Sequence, residues 1–356
     1  MKHLYITGHL PSNKAPIAGQ KISYNFLNSK RNKKNYIVLS FANLAEQDYE
    51  NQQFMKSFYD FKIMYASSTE RILNHFLGFR YPVKCSARFN KNRENIITEI
   101  IKCNEIGEVT LEFTSVFSFY RSIRSSFPDM TINLIAHDVS FQAMMRRQDF
   151  AKGIKKLFYY VEARRLKKFE LSLFNSNNVI VLNNKDRDIL LREGISDSNI
   201  FVQRPILDTW LQTVVRNGHR SHTILFVGAL HRPENHVGLK WFIDNVFTKL
   251  KRSFPQCKLI IIGKGAPKSL IKYQSDSILF MGYVQDLKPI FSDIHVSISP
   301  VLFGAGIKIK TLEYIAAGIP TVSTVIGAEG IDSHELLSIA DTKEEFHDSI
   351  AAIFNH

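Results

Sequence analysis

The sequence predicts an α/β protein made of two doubly wound parallel-sheet domains in tandem. Three observations carry that reading. Short β-rich runs alternate with helical stretches, a polar cluster rich in breakers interrupts the alternation, and the same alternation then restarts. A chain of 356 residues is long enough for about two domains, each with its own core. We place them at 1–205 and 206–356, with Arg216 to His222 as a linker.

In the first half the expected strands are His3–Thr7, Tyr36–Phe41, Phe61–Tyr65, Val109–Phe113, Thr131–Ala136, Val179–Leu182 and Ile200–Val202. Helical patterns fall between them at Gly19–Ser29, Ser67–Leu77, Ser115–Ser126, Lys155–Phe174 and Lys185–Arg192. The second half opens with strand Thr223–Val227, which runs into Gly228, followed by helix Val237–Lys251. Strand Lys258–Ile262 leads into Gly263-Lys264-Gly265. Strand Ile278–Met281, helix Leu287–Phe291, strand Ile294–Ser297, strand Thr321–Ser323 and helix Glu344–Phe354 complete the series. Ligands of such sheets bind outside the carboxyl ends of the strands, where these glycine loops lie.

Composition narrows the function. With 45% apolar and 22% charged residues, the chain reads as an ordinary globular protein, and no run of about 18 apolar residues marks a spanning helix. The start, Met-Lys-His-Leu-Tyr-Ile-Thr-Gly, reads as a first strand rather than a signal peptide. Cys85, Cys103 and Cys257 have neither metal nor redox spacing and fit a reducing cytoplasm, so no metal site is expected. The net charge of +13 is concentrated in residues 1–205, where 31 Lys and Arg face 19 Asp and Glu. That bias points to an anionic partner such as a membrane surface. Nucleic acid is disfavoured because no finger or RNP signature accompanies it.

The most informative segment is 300–320. A glycine loop at Gly304 and Gly306 leads past Lys308 and Lys310 into an apolar-striped helix bearing Glu313, which stops at Gly318-Ile319-Pro320. Glycines let backbone N–H groups approach an anion, a helix start favours negative charge, and a carboxylate one turn in can accept from a diol. These are the parts that hold a sugar joined to a nucleotide through a diphosphate. Lys310 and Glu313 can also be read as a solvated i, i+3 ion pair, and the Gly-x-Pro end as an ordinary helix stop.

Two such domains with Gly-x-x-Lys-x-Lys-x-Leu-Glu-x-x-Ala-x-Gly-x-Pro in the second resemble the family-4 glycosyltransferases of the GT-B fold (glycosyl transferases group 1). The chain is a glycine-rich-loop variant of that pattern. The segments 226–235, 260–267, 281–287 and 326–331 support the resemblance by their order and spacing. It implies two Rossmann-like domains facing a cleft, with acceptor bound by the first and nucleotide sugar by the second. It also implies a retaining, metal-independent transfer of hexosyl type, with no cofactor beyond the nucleotide-diphosphate sugar as co-substrate. By position, Glu313 looks like the glutamate on the ribose hydroxyls and Lys308 like the cation at the diphosphate, with Gly228 opening the loop beneath the phosphates. His137 looks like the histidine that reaches the donor sugar, and Gly19 like the glycine-rich turn after the first strand.

Three departures accompany the resemblance. Ala305 stands where many relatives have a first glutamate, so sugar recognition would use backbone N–H groups. Ala229 stands where an arginine often follows the phosphate-loop glycine, leaving Arg232 and Lys310 as the nearest substitutes. The family's closing helix, which crosses back to the first domain, is expected to be short or absent, or the chain a fragment. Asp138 is expected to cap the segment after it. Asp186-Arg187-Asp188 is read as a polar helix start rather than a metal motif. Met144–Phe174 reads as one basic amphipathic helix and Phe76–Arg93 as a second basic, aromatic surface; both could meet anionic lipid.

The function implied is extension of a glycan or lipid-linked acceptor in capsule, lipopolysaccharide or exopolysaccharide synthesis. The place implied is the cytoplasm, peripheral to the inner face of the membrane. A nucleotide-sugar epimerase and an inactive scaffold of a polysaccharide assembly complex are the rival readings.

Overall fold

The computed structural model describes residues 1–15, 18–217 and 222–355, so part of the linker expected at Arg216 to His222 lies outside the described residues, as does His356. Two compact units emerge, Met1–Ile206 and Leu207–His356. In the first, β1 (Lys2–Thr7), β2 (Tyr36–Asn43), β3 (Asp60–Ala66), β4 (Ile106–Glu112), β5 (Thr131–Ala136), β6 (Asn178–Val181) and β7 (Ile200–Val202) form one sheet. Its order is β3-β2-β1-β4-β5-β6-β7, with every pair parallel. Successive side chains serve opposite faces: Leu4 and Ile6 enter one core, whereas Tyr5 enters the other with Val38 and Ile135.

The second unit repeats the plan with β8 (Thr223–Val227), β9 (Lys258–Ile262), β10 (Ile278–Gly282), β11 (Val296–Ser299), β12 (Thr321–Ser323) and β13 (Leu337–Ile339). The order is β10-β9-β8-β11-β12-β13, again parallel throughout. Ile224 and Phe226 point into one core and Leu225 into the other. The winding reverses between β1 and β4 in the first sheet and between β8 and β11 in the second. Those are the positions where such sheets open a crevice for ligand.

Several elements differ from expectation. The basic stretch Met144–Phe174 is two helices, Ser140–Phe150 and Ile154–Phe174, packed along each other. The break is local: Ala151 is extended and Gly153 takes φ 57°, ψ −138°, a conformation that suits glycine and cannot continue a helix. Ser115–Ser126 is likewise a 3-10 turn, Thr114–Phe119, followed by a short helix, Tyr120–Ser126. Helix Lys91–Cys103 was not expected; Asn90 caps it, and Ile97, Ile100 and Ile101 bury its inner side.

In the second unit, the helix after β8 starts earlier than its apolar pattern implied. It begins at Pro233, with proline in the first turn, where its missing N–H is no loss. Gly238 lets this helix touch the end of β11, because a Cβ there would lie 1.8 Å from the Pro300 carbonyl oxygen. Gly238→Ala should therefore destabilise the protein by about 1–3 kcal/mol through overpacking. Chemical denaturation measures this, and an unchanged midpoint would contradict the contact.

Candidate functional site

In the second unit the chain leaves β11 at Pro300 and enters a loop in which Gly304 (φ 121°) and Gly306 (φ 76°) adopt conformations that side chains disfavour. Helix Ile309–Ala316 follows, with Lys308 as its extended N-cap, and ends at Gly318, φ 73°. The predicted start and stop of this helix are therefore where the motif places them. Lys308 turns back on the loop, and its ammonium donates to the carbonyls of Ala305 (3.3 Å) and Gly306 (2.5 Å). A cation thus holds the side-chain-poor loop in shape.

Lys310 lies in the first turn, with its amine over the Phe226 ring (4.0 Å to the centroid) and donating to Asn235 Oδ1 (3.0 Å). Burial, then the charges of Lys308 and Arg232, push its pKa down to about 7. Lys308 and Arg232 are therefore each close enough to Lys310 to repel its charge. Arg232 precedes helix Pro233–Phe242, and its Nε lies 3.9 Å from Glu234. Glu313, half-buried, follows Lys310 by three residues, so the helix makes them surface neighbours.

The surroundings hold this arrangement. A Cβ at Gly263 (φ 148°) would lie 1.8 Å from the Gly228 carbonyl oxygen, so the ends of β8 and β9 approach backbone to backbone. Asn235 donates to the Ala229 carbonyl (3.0 Å) while accepting from Lys310, and thereby joins the Gly228 loop to the helix. Behind the glycine loop, Thr311 donates to the Gly327 carbonyl (2.9 Å) and accepts from the Ser299 hydroxyl (3.0 Å), and Thr324 donates to the Val301 carbonyl (2.6 Å). Neither Asn235 nor these hydroxyls was singled out in the sequence. The helix start at Pro233 is the signal that would have pointed to Asn235.

In the first unit, His137 directly follows β5 and stacks on Phe113 (3.9 Å between centroids). Its Nε2 lies 2.9 Å from Glu112 Oε1, which also accepts from Ser23 (2.6 Å). Phe113 itself has φ 74°, an unusual backbone for a bulky residue and a form of strain that functional sites store. Gly19 meets the same group: a Cβ on it would be 3.0 Å from the Phe113 ring and 3.6 Å from His137 Nδ1. The structure thus brings Gly19 and His137 together and adds Glu112, Phe113 and His9, whose ring lies edge-on to Phe113. Burial pushes the His9 pKa down against the pull of Glu46.

Asp138 accepts from Lys84 (3.1 Å) and Ser140 (2.9 Å); burial would raise its pKa, but Lys84 and Ser140 hold it at about 2. Asp186 sits at the start of helix Asn184–Arg192, bonded by Asn183 and Lys185, as an acid that suits the helix dipole.

The Lys310 titration has a consequence for stability. The unfolded chain keeps this proton to near 10.5, whereas the folded protein releases it near 7, so the unfolded state binds more protons across that window and stability rises with pH through it. In denaturant titrations between about pH 6 and pH 9, the stability of the native chain relative to Lys310→Met should rise. A pH-independent difference would remove the cation cluster.

Residues 221–356 match the family described as Glycosyl transferases group 1. An uncharacterized 44.6 kDa protein in the cps region of Klebsiella pneumoniae is 28% identical over 204 residues, 54% of this chain and 51% of that protein, about half its length. Sucrose-phosphate synthase from Thermosynechococcus elongatus superposes with a TM-score of 0.68 at 12% identity, covering 100% of this chain and 90% of that one. Anabaena HepE in complex with UDP gives 0.66 at 12% identity, covering 100% and 90%. The trehalose-phosphate synthase (UDP-forming) from Burkholderia xenovorans gives 0.63 at 10%, covering 100% and 93%.

Proposed function

From a chain whose residues 221–356 match the glycosyl transferases group 1, and whose paired Rossmann-like units have the GT-B fold, we propose a glycosyltransferase. It moves a sugar from a nucleotide-diphosphate sugar to a glycan or lipid-linked acceptor. One observation carries this: Lys308 and Lys310 stand at a helix start beside a glycine loop, with Arg232 near enough to repel the charge of Lys310 and Glu313 one turn further in.

The chemistry follows from charge. When the bond between sugar and diphosphate breaks, negative charge grows on the departing phosphate. Cations and N–H groups already aimed at that charge lower the barrier, and losing one such donor costs about 100- to 1,000-fold in rate. Glu313 reads the ribose hydroxyls, and Gly228 and the Gly304–Gly306 loop let backbone approach the donor. We assign Gly19 and His137 of the first unit as further contacts of the substrates. The leaving phosphate takes the acceptor proton, so transfer is retaining and needs neither a metal nor a protein base. The relative from a cps region supports a surface polysaccharide as the product; we propose the cytoplasm as the place of catalysis. HepE in complex with UDP makes UDP the first nucleotide to try.

A screen of UDP-, GDP-, ADP- and CMP-linked donors by thermal shift tests the reading, because ligand at a hundred times Kd adds about 2.7 kcal/mol of stability. One donor should raise Tm by several degrees, and Glu313→Ala and Lys308→Ala should each abolish that rise while leaving the circular dichroism spectrum unchanged. Normal transfer by either variant would refute the assignment.

A further inference from the structure

Helix Ser68–Leu77 is built inside out. Its inward side is polar: Asn74 is fully buried and donates to the Ala87 carbonyl (3.2 Å), His75 bonds Ser86 (2.7 Å), and Glu70 pairs with Arg93 (2.6 Å). The side chains left outside are Ile72, Leu73, Phe76 and Leu77, with Phe79 just beyond, all between 57% and 77% exposed. A surface helix of a globular protein normally turns these faces the other way.

A second apolar stripe adjoins it. Ile154, Leu157, Phe158 and Val161, at the start of helix Ile154–Phe174, are exposed and spaced i, i+3, i+4, i+7 on one face. The next residue on that face is Arg165, which donates to the carbonyls of Phe79 and Tyr81. One turn of the same helix therefore grips the backbone from which Phe79 projects, and the two stripes become one patch. Exposed cations flank it in the sequence: Arg80, Lys152, Lys155, Lys156 and Arg164. The acids within 68–80 and 152–168 are Glu70 and Glu162, and both are paired, with Arg93 and Arg165. A patch of this composition is too apolar for water and too cationic to be satisfied by a second copy of itself, since a two-fold contact would oppose like charges.

We propose that this face docks on an anionic phospholipid bilayer. The apolar side chains enter the boundary between headgroups and acyl chains, and the cations meet the phosphates. Among the described residues no helix is long and apolar enough to cross a membrane, so attachment by this face is interfacial. The inference does not depend on sugar transfer.

Sedimentation of the full chain with vesicles of phosphatidylglycerol and phosphatidylcholine, or of phosphatidylcholine alone, tests it. The protein should pellet with the anionic vesicles, less so in high salt, and poorly with the neutral ones. Two double variants, Phe76→Ser with Phe79→Ser and Leu157→Ser with Phe158→Ser, should each lower partitioning by about tenfold or more, since each removes two large apolar side chains from the contact. Their Tm should match that of the native chain, because the altered groups are exposed. Failure to pellet with anionic vesicles would overturn the proposal. So would double variants that bind vesicles normally but convert a dimer to a monomer on size exclusion.

Discussion

Lys308 and Arg232 both repel the charge of Lys310, and the second unit is organised around containing that repulsion. Two unit charges about 4 Å apart interact by roughly 4 kcal/mol at the effective dielectric of a protein surface. Lys310 lowers the cost by shedding its proton near neutrality and by resting on Asn235 and the Phe226 ring. Lys308 spends its donors on loop carbonyls. A dianionic group placed among them would reverse the sign of the interaction. The same side chains that oppose one another would then share a counter-charge.

Such a cluster is useful only if its geometry does not relax. Ser299, Thr311 and Thr324 are buried, and their hydroxyls are satisfied by each other or by backbone carbonyls of Val301 and Gly327. Buried polar networks of this kind are rigid when complete, because breaking one bond leaves a group without water to replace it. Val227 N–H donates to the Tyr314 hydroxyl (2.7 Å), pinning the cation-bearing helix to β8 as well. The glycine loop is therefore poor in side chains but anchored on both flanks.

Much of this was legible in the sequence, for a physical reason. Buried parallel strands need continuous apolar runs, and Thr223–Val227, Lys258–Ile262 and Thr131–Ala136 fall on the residues expected. β13 escaped because its Leu-Ser-Ile is a short apolar pair split by a serine after the polar run Asp332–Glu335, and Lys91–Cys103 because its first turns are Lys-Asn-Arg-Glu-Asn. The single basic helix was misread because one glycine outweighs a charge pattern that continues across it. In the site, residues 304–313 were legible because they act within one local segment. Asn235 and Glu112 were not, since they reach Lys310 across 75 residues and His137 across 25.

The first unit reaches its own arrangement by a different route. A carboxylate accepts and does not donate, so Glu112 fixes the proton of His137 on Nε2 and takes that nitrogen out of play. Nδ1 is then the nitrogen left to meet anything new, and it faces Gly19. A side chain at that position would press on the Phe113 ring and fill the space before Nδ1, so the glycine and the histidine are one feature rather than two. Phe113 completes it: its φ of 74° turns the ring under the imidazole, while its N–H stays bonded to the Ile135 carbonyl (2.9 Å). Strain at one backbone position is thus exchanged for an imidazole with a single orientation, which is what a group that must present one nitrogen to a ligand requires.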